Sequence, residues 1–297
     1  MSQYKLKQIN SIQIHDKLIN SLKYFPSGNI ISASTDLSIK IFDINFNIIQ
    51  IISNAHYDRI MYIEIINENT FITCSYDKSI KIWNKNKEYY VLNIIIKNAH
   101  NDYIIKVIYN LNGNLISCSR DKTIKIWELK NNNKYQNLIT LVNKRDIFSI
   151  IIIENKNILV SSGFEGTKFW NLNNFELIYY NRESKCLNKN ALQKINDDTI
   201  IIGGEFDFLI RIISIKEKKI IYNIKNDFIC YGICVIENEQ LFLIGGFNDI
   251  KIYNSNNFEL IQTIKNAHNG YIDGLIQLKN SLIISYGDFG IINIWSF

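Results

Sequence analysis

The chain is one motif written seven times. The segments SASTDLSIKIFD (32–43), TCSYDKSIKIWN (73–84) and SCSRDKTIKIWE (117–128) each read as an apolar strand, a tight polar turn and a second strand of alternating character. Weaker copies follow in SSGFEGTKFWN (161–171), GGEFDFLIRIIS (203–214), GGFNDIKIYN (245–254) and SYGDFGIINIWS (285–296). The residues closing the second strands are Phe42, Trp83, Trp127, Trp170, Ile213, Tyr253 and Trp295, at spacings of 41, 44, 43, 43, 40 and 42 residues. A period of that length suits four short strands per unit, and missing it would misread the whole fold.

Histidine placement is an independent check. The chain has four, His15, His56, His100 and His268, and each lies 27 residues before the residue that closes its unit. Scattered histidines would not keep one distance. The openings read NAH in three copies and IH in the first, and the endings read IWN, IWE, IWS, IFD or IYN. On these marks the chain resembles the WD-repeat family, whose units open on Gly-His and end on Trp-Asp. The resemblance runs over essentially the whole chain, and three units carry the His, Ser or Thr, Asp and aromatic set in register.

The resemblance implies an all-β fold: a single seven-bladed propeller with four antiparallel strands per blade. It also implies a bonded tetrad that ties loop, hairpin turn and strand together. By position the tetrads are His56, Thr73, Asp77 and Trp83, then His100, Ser117, Asp121 and Trp127. A buried indole N–H, imidazole and carboxylate all need partners, and a closed chain of bonds satisfies them together. The first unit has His15, Ser32 and Asp36 but Phe42, so its network ends one link early. The last has His268, Ser285 and Trp295, with Asp288 displaced by one place. The fourth, fifth and sixth units lack histidine and are expected to rest on apolar packing alone, as softer blades. His, Asp and Ser are also the residues of a hydrolytic triad, but a catalytic site is one asymmetric constellation and this trio recurs with the repeat.

Stretches such as FNIIQIIS, YYVLNIII and FELIQTI supply an outer strand after each closing residue, but the last unit stops at Phe297. The N-terminal YKLKQINSI precedes His15 as the other outer strands precede their loops, so pairing it onto the last blade would cover an open edge and close the ring. The expected division is residues 4–12 as outer strand of blade 7, then blades at 13–53, 54–97, 98–142, 143–181, 182–225, 226–265 and 266–297.

Composition sets limits on function. A net charge of +5 is spread along the chain without a dense basic block, which gives nucleic-acid binding little support. Cys74, Cys118, Cys186, Cys230 and Cys234 make an odd set in a chain too large to need staples, and suggest reduced thiols in the cytoplasm or nucleus. The N-terminus has no secretory apolar segment and no stretch has the length of a membrane span. Cys230 and Cys234, placed on one strand, read as core residues because no histidine accompanies them, so neither metal nor cofactor is expected. The glycine pairs 203–204 and 245–246 end strands and read as sites of close blade packing. Lys40, Lys81, Lys125, Lys168, Arg211 and Lys251 recur two places before the closing residues and read as solvated heads on packed stems.

Members of the family commonly present contacts three and five residues after the histidine and just before the turn Asp, around the narrow face. Mapped onto this chain, these positions give the candidate partner-binding residues Arg59, Met61, Tyr76, Tyr103, Arg120, Phe164, Phe206, Phe247, Tyr271, Asp273 and Asp288, with Ile147 and Ser149 beside them. Aromatics are out of character at solvent-facing turns, while Tyr and Arg are the usual anchors of interfaces. The resulting expectation is a non-catalytic scaffold that binds a peptide or partner domain, within a multiprotein complex. The alternatives are a reader of methylated cationic tails, with Asp273 and Asp288 as opposing charges, a propeller hydrolase, or an RNA-associated subunit.

Overall fold

The computed structural model describes residues 5–131, 134–204 and 207–297; Tyr4 and Phe206 lie outside them. Among the described residues there are twenty-eight strands, three short 3-10 turns and no α-helix. The strands form seven four-stranded antiparallel sheets, each built from consecutive chain segments except one. The inner strands, nearest the ring axis, are Ile19–Tyr24, Ile60–Asn67, Ile104–Tyr109, Ile147–Ile153, Leu192–Asn196, Gly232–Ile236 and Ile272–Gln277. Each packs on the next, and the seventh packs on the first. The result is a closed seven-bladed propeller.

β-branched residues dominate the three inner strands of each blade because both their faces are covered by neighbouring blades. The apolar clusters therefore straddle blade boundaries: Ile31, Ile41 and Phe71 join blades 1 and 2, and Ile116, Ile126, Leu159 and Trp170 join blades 3 and 4. Glycine sits where two blades approach most closely. A Cβ on Gly203 would lie 2.7 Å from that of Cys230, and one on Gly245 would lie 2.6 Å from Ile272. Cys230 precedes the inner strand of blade 6 and packs toward blade 5, whereas Cys234 faces blade 7. The two thiols thus point into different cores, a correction to their placement together on one strand. All five cysteines are free and buried.

The exceptional sheet is the seventh. Its outer strand is Lys7–Gln13, which pairs antiparallel with Ile291–Ser296. In the other six blades the register slips at the closing residue, as between Ile82 and Trp83 or between Phe169 and Trp170. The N-terminal strand makes the same slip opposite Trp295 and Ile294, with Ile9 as the extra residue. It is therefore equivalent to the other outer strands and closes the ring. Leu6 fixes its start: the side chain is 2% exposed beside Trp295, and its backbone exchanges bonds of 2.9 and 3.1 Å with the amide of Gln262 in blade 6.

Candidate functional site: the narrow face and the channel mouth

The tetrads set the loops from which the face is built. In blade 2, Trp83 Nε1 donates to Thr73 Oγ1 at 2.9 Å, that hydroxyl meets His56 Nε2 at 2.7 Å, and His56 Nδ1 meets Asp77 Oδ2 at 2.8 Å. The donors run head to tail if Nδ1 carries the proton, the tautomer the network requires. Blade 3 repeats this through Trp127, Ser117, His100 and Asp121 at 2.8, 2.7 and 2.9 Å. Asp77 also accepts the N–H groups of Tyr57 and Ser79 and the Ser79 hydroxyl, so it pins Lys78 between them in a left-handed conformation at φ 66°. The bonds follow the order of a hydrolytic triad, but Thr73 and Ser117 are wholly buried and their oxygens already accept an indole N–H. No substrate carbonyl could reach them.

In blade 1, His15 bonds Ser32 and Asp36, and with Phe42 closing the unit no indole N–H donates to the Ser32 hydroxyl. Blade 7 links Trp295, Ser285 and His268, while Asp288 accepts the Tyr271 N–H instead of the imidazole. Blades 4 and 6 do not rely on apolar packing alone. Counting 27 residues back from Trp170 and Tyr253 reaches Asn143 and Asn226, whose side-chain oxygens accept Lys168 at 2.5 Å and Lys251 at 2.9 Å. Glu165 takes the turn carboxylate's place in blade 4 and accepts the Lys144 N–H at 2.9 Å, as Asp77 accepts that of Tyr57. Trp170 donates to Ser161. Only the fifth blade places an apolar-type group, Cys186, at that count.

The recurring cations are not solvated heads. Lys40, Lys81 and Lys125 donate at 2.8, 2.6 and 2.7 Å to Ile14, Ala55 and Ala99, in each case the carbonyl before the histidine. Asn293 gives the same bond to Ala267 in blade 7, and Arg211 pairs with Asp207 in blade 5. These residues tie the loops down inside each blade.

Burial acts on the histidines without a uniform counterweight. For His56 and His100 it lowers the pKa against the pull of Asp77 and Asp121, whereas His268, with no carboxylate at Nδ1, is pushed down to about 4. Its value in the unfolded chain is about 6.5. Between these values the unfolded state binds the proton, so the contribution of His268 is complete above about pH 6.5 and is lost as pH falls toward 4. The shift corresponds to about 3 kcal/mol. A melting-temperature series over this range should slope downward with acid, and H268N should flatten it. An equal slope in both proteins would remove His268 as the cause.

On the narrow face the loop before each inner strand lies beside the turn between the second and third strands. Backbone bonds join Leu18 to Thr35, Arg59 to Tyr76, Tyr103 to Arg120, Asp146 to Phe164 and Tyr271 to Asp288. This pairing sets Arg59 over Tyr76 at 5.9 Å in blade 2 and Arg120 over Tyr103 at 5.8 Å in blade 3. The order reverses between the blades, so the two tyrosines meet across the boundary, stacked with centroids 4.0 Å apart and planes 7° from parallel. Arg120 continues to Asp146 at 3.1 Å. The inner end of the ladder, Arg59 and Tyr76, lines a hollow of about 200 Å³ at the channel mouth together with Met61, Ile105 and Phe148, while Tyr103 and Arg120 extend the ladder away from it. Both arginine side chains are exposed, and both tyrosines are half-buried. On the opposite arc, Tyr271 contacts Phe247 and Tyr231 edge-on at 5.2 and 4.9 Å.

The remaining candidates sit elsewhere. Ile147 and Ser149 are buried inside, and Phe164 packs edge-on against Phe148 at 5.1 Å. Asp273 is not a free charge on the face: it is 7% exposed, paired with Lys189 at 2.5 Å and bonded by Asn188 at 2.9 Å. These partners come from residues 184–190, which cross the channel end; the Lys189 carbonyl also accepts Lys106 and Ser149, and Asn190 bridges to Gly232. The crossing carries no repeat mark, and the best signal for it was the absence of a histidine in that unit. Among the described residues, no helix is long and apolar enough to cross a membrane, and no three His, Cys, Asp or Glu side chains are placed to share a metal ion.

Residues 6–43, 48–84 and 92–128 match the family model WD domain, G-beta repeat. Each match begins at or within one blade's outer strand and ends one residue past the next closing residue, so the first takes in the strand that closes the ring. A comparison with curated proteins finds no match. With three WD repeats matched in sequence and seven four-stranded blades formed in the fold, the chain is a seven-bladed β-propeller that carries WD repeats.

Proposed function

We propose that this propeller is a non-catalytic scaffold that grips a peptide or partner domain at the channel mouth on its narrow face. WD-repeat propellers commonly mediate protein–protein interaction. The observation that carries the reading is the Arg59–Tyr76–Tyr103–Arg120 ladder beside an open hollow. Stacking on the rings holds the guanidinium groups in place before binding, which lowers the entropy cost of contact. Tyrosine and arginine in such a setting supply most of an interface's energy.

The geometry disfavours a reader of methylated cationic tails. Tyr76 and Tyr103 spend their facing surfaces on each other, and two arginines flank them, so an incoming cation meets like charge. A neutral or acidic segment suits the mouth better. The test is partner capture by R59A/R120A, since these exposed heads can be removed with the half-buried tyrosines left in place. The expected loss of affinity is about a hundredfold. Undiminished capture would refute the assignment.

A further inference from the structure

A second hollow, of about 680 Å³, opens on the same face between blades 4 and 5. Four cations line it: Lys144 and Arg145 from the loop into blade 4, Arg182 just before the channel crossing and Lys185 near its start. All four are exposed, and none has an ion pair among the described residues. The single carboxylate present, Glu165, is already committed. Burial works against its charge, but the Lys144 N–H and Lys168 ammonium outweigh that and keep its pKa low. The aromatic walls are Phe164 and Tyr180, and Arg182 lies over the Tyr180 ring at 5.6 Å.

The hollow adjoins the mouth, since Phe164 on its wall packs against Phe148 on the wall of the other. We propose that it receives a phosphoryl group on a peptide segment of the partner that lies across this face. The inference rests on the scaffold reading above and adds the chemistry of the ligand. A phosphoryl group carries about two negative charges at neutral pH and three acceptor oxygens, which converging arginines and lysines satisfy with charge-assisted bonds. The cations are gathered around one open hollow rather than along a stripe, which fits a point charge on a peptide better than a nucleic-acid backbone.

The experiment is fluorescence anisotropy with labelled pools of short degenerate peptides carrying phosphoserine or phosphothreonine at one fixed position. Matched pools carry Asp or Ser there, and a random single-stranded RNA serves as a further probe. The phosphorylated pools should bind about tenfold tighter than the Asp pools, and R145A/R182A should reduce them to the Asp level with the melting temperature unchanged. Equal binding of Asp and phosphorylated pools would overturn the proposal in favour of a plain acidic segment. Binding retained by R145A/R182A, no binding by any pool, or RNA binding lost in the same variant would also overturn it. Failure of the mouth as a partner surface is read separately, through R59A/R120A, which leaves these cations untouched.

Discussion

Removing residues 5–12 should give a protein that aggregates, or melts far below the intact chain. Without the strand Lys7–Gln13, the edge Ile291–Ser296 is left with a row of unpaired backbone groups on a blade that has lost its cover. The bonds between Leu6 and Gln262 go as well, and with them one of the ties between blades 6 and 7. A milder change isolates one part of this. L6A removes a side chain that is 2% exposed against Trp295 and should cost about 2–5 kcal/mol. In a domain of this size, each kcal/mol lowers the melting temperature by roughly 2–4 °C. Calorimetry and light scattering check both proteins. A truncated chain that stays monodisperse with an unchanged melting temperature would mean that the N-terminal strand does not close the ring.

The second large effect is expected from D77A. Asp77 holds His56, the N–H groups of Tyr57 and Ser79, and the Ser79 hydroxyl, and its side chain is 6% exposed. Its loss leaves the buried imidazole donor with the Ser79 hydroxyl alone, 3.1 Å away, strips the Tyr57 and Ser79 N–H groups of their acceptor and releases the left-handed Lys78, a change expected to cost about 3 kcal/mol. D288A supplies the contrast. Asp288 occupies the displaced position and accepts the Tyr271 N–H, with no bond to His268, so about 1 kcal/mol is expected. Denaturant unfolding of the two variants measures the difference. Equal losses would mean that the tetrad is not what distinguishes blade 2 from blade 7.

The repeat, the ring and its closure were legible because they depend on spacing, and spacing survives when residue types drift. The tetrads of blades 2 and 3 were legible for the same reason. What the sequence reading missed were substitutions that keep a bond while changing the residue. Asn143 and Asn226 sit at the histidine count but offer an amide oxygen to lysine instead of an imidazole. Asn293 does the work of the buried lysines, and Glu165 that of the turn Asp. The same count of 27 would have found the two asparagines had it been applied to units without histidine. The lysine heads were misplaced because recurrence alone does not say which way a long side chain folds.

The sequence marked Arg59, Tyr76, Tyr103 and Arg120 singly but not as a unit. Tyr76 and Tyr103 were both marked by unusual positions, yet their stacking depends on the reversed order of Arg and Tyr in adjacent blades. The capture of Asp273 by residues 184–190 depends on a crossing between distant blades, which no local pattern encodes. The basic hollow likewise joins two loops nearly forty residues apart in the chain.

The proposed partner surface is the mouth. Its most direct test is affinity capture with quantitative mass spectrometry, using intact protein, R59A/R120A, and L111A as a control on the opposite face, where Leu111 is 81% exposed. R59A/R120A should lose the proteins enriched by the intact chain, and L111A should keep them. Partners retained by R59A/R120A and lost by L111A would place the binding surface on the other side of the ring.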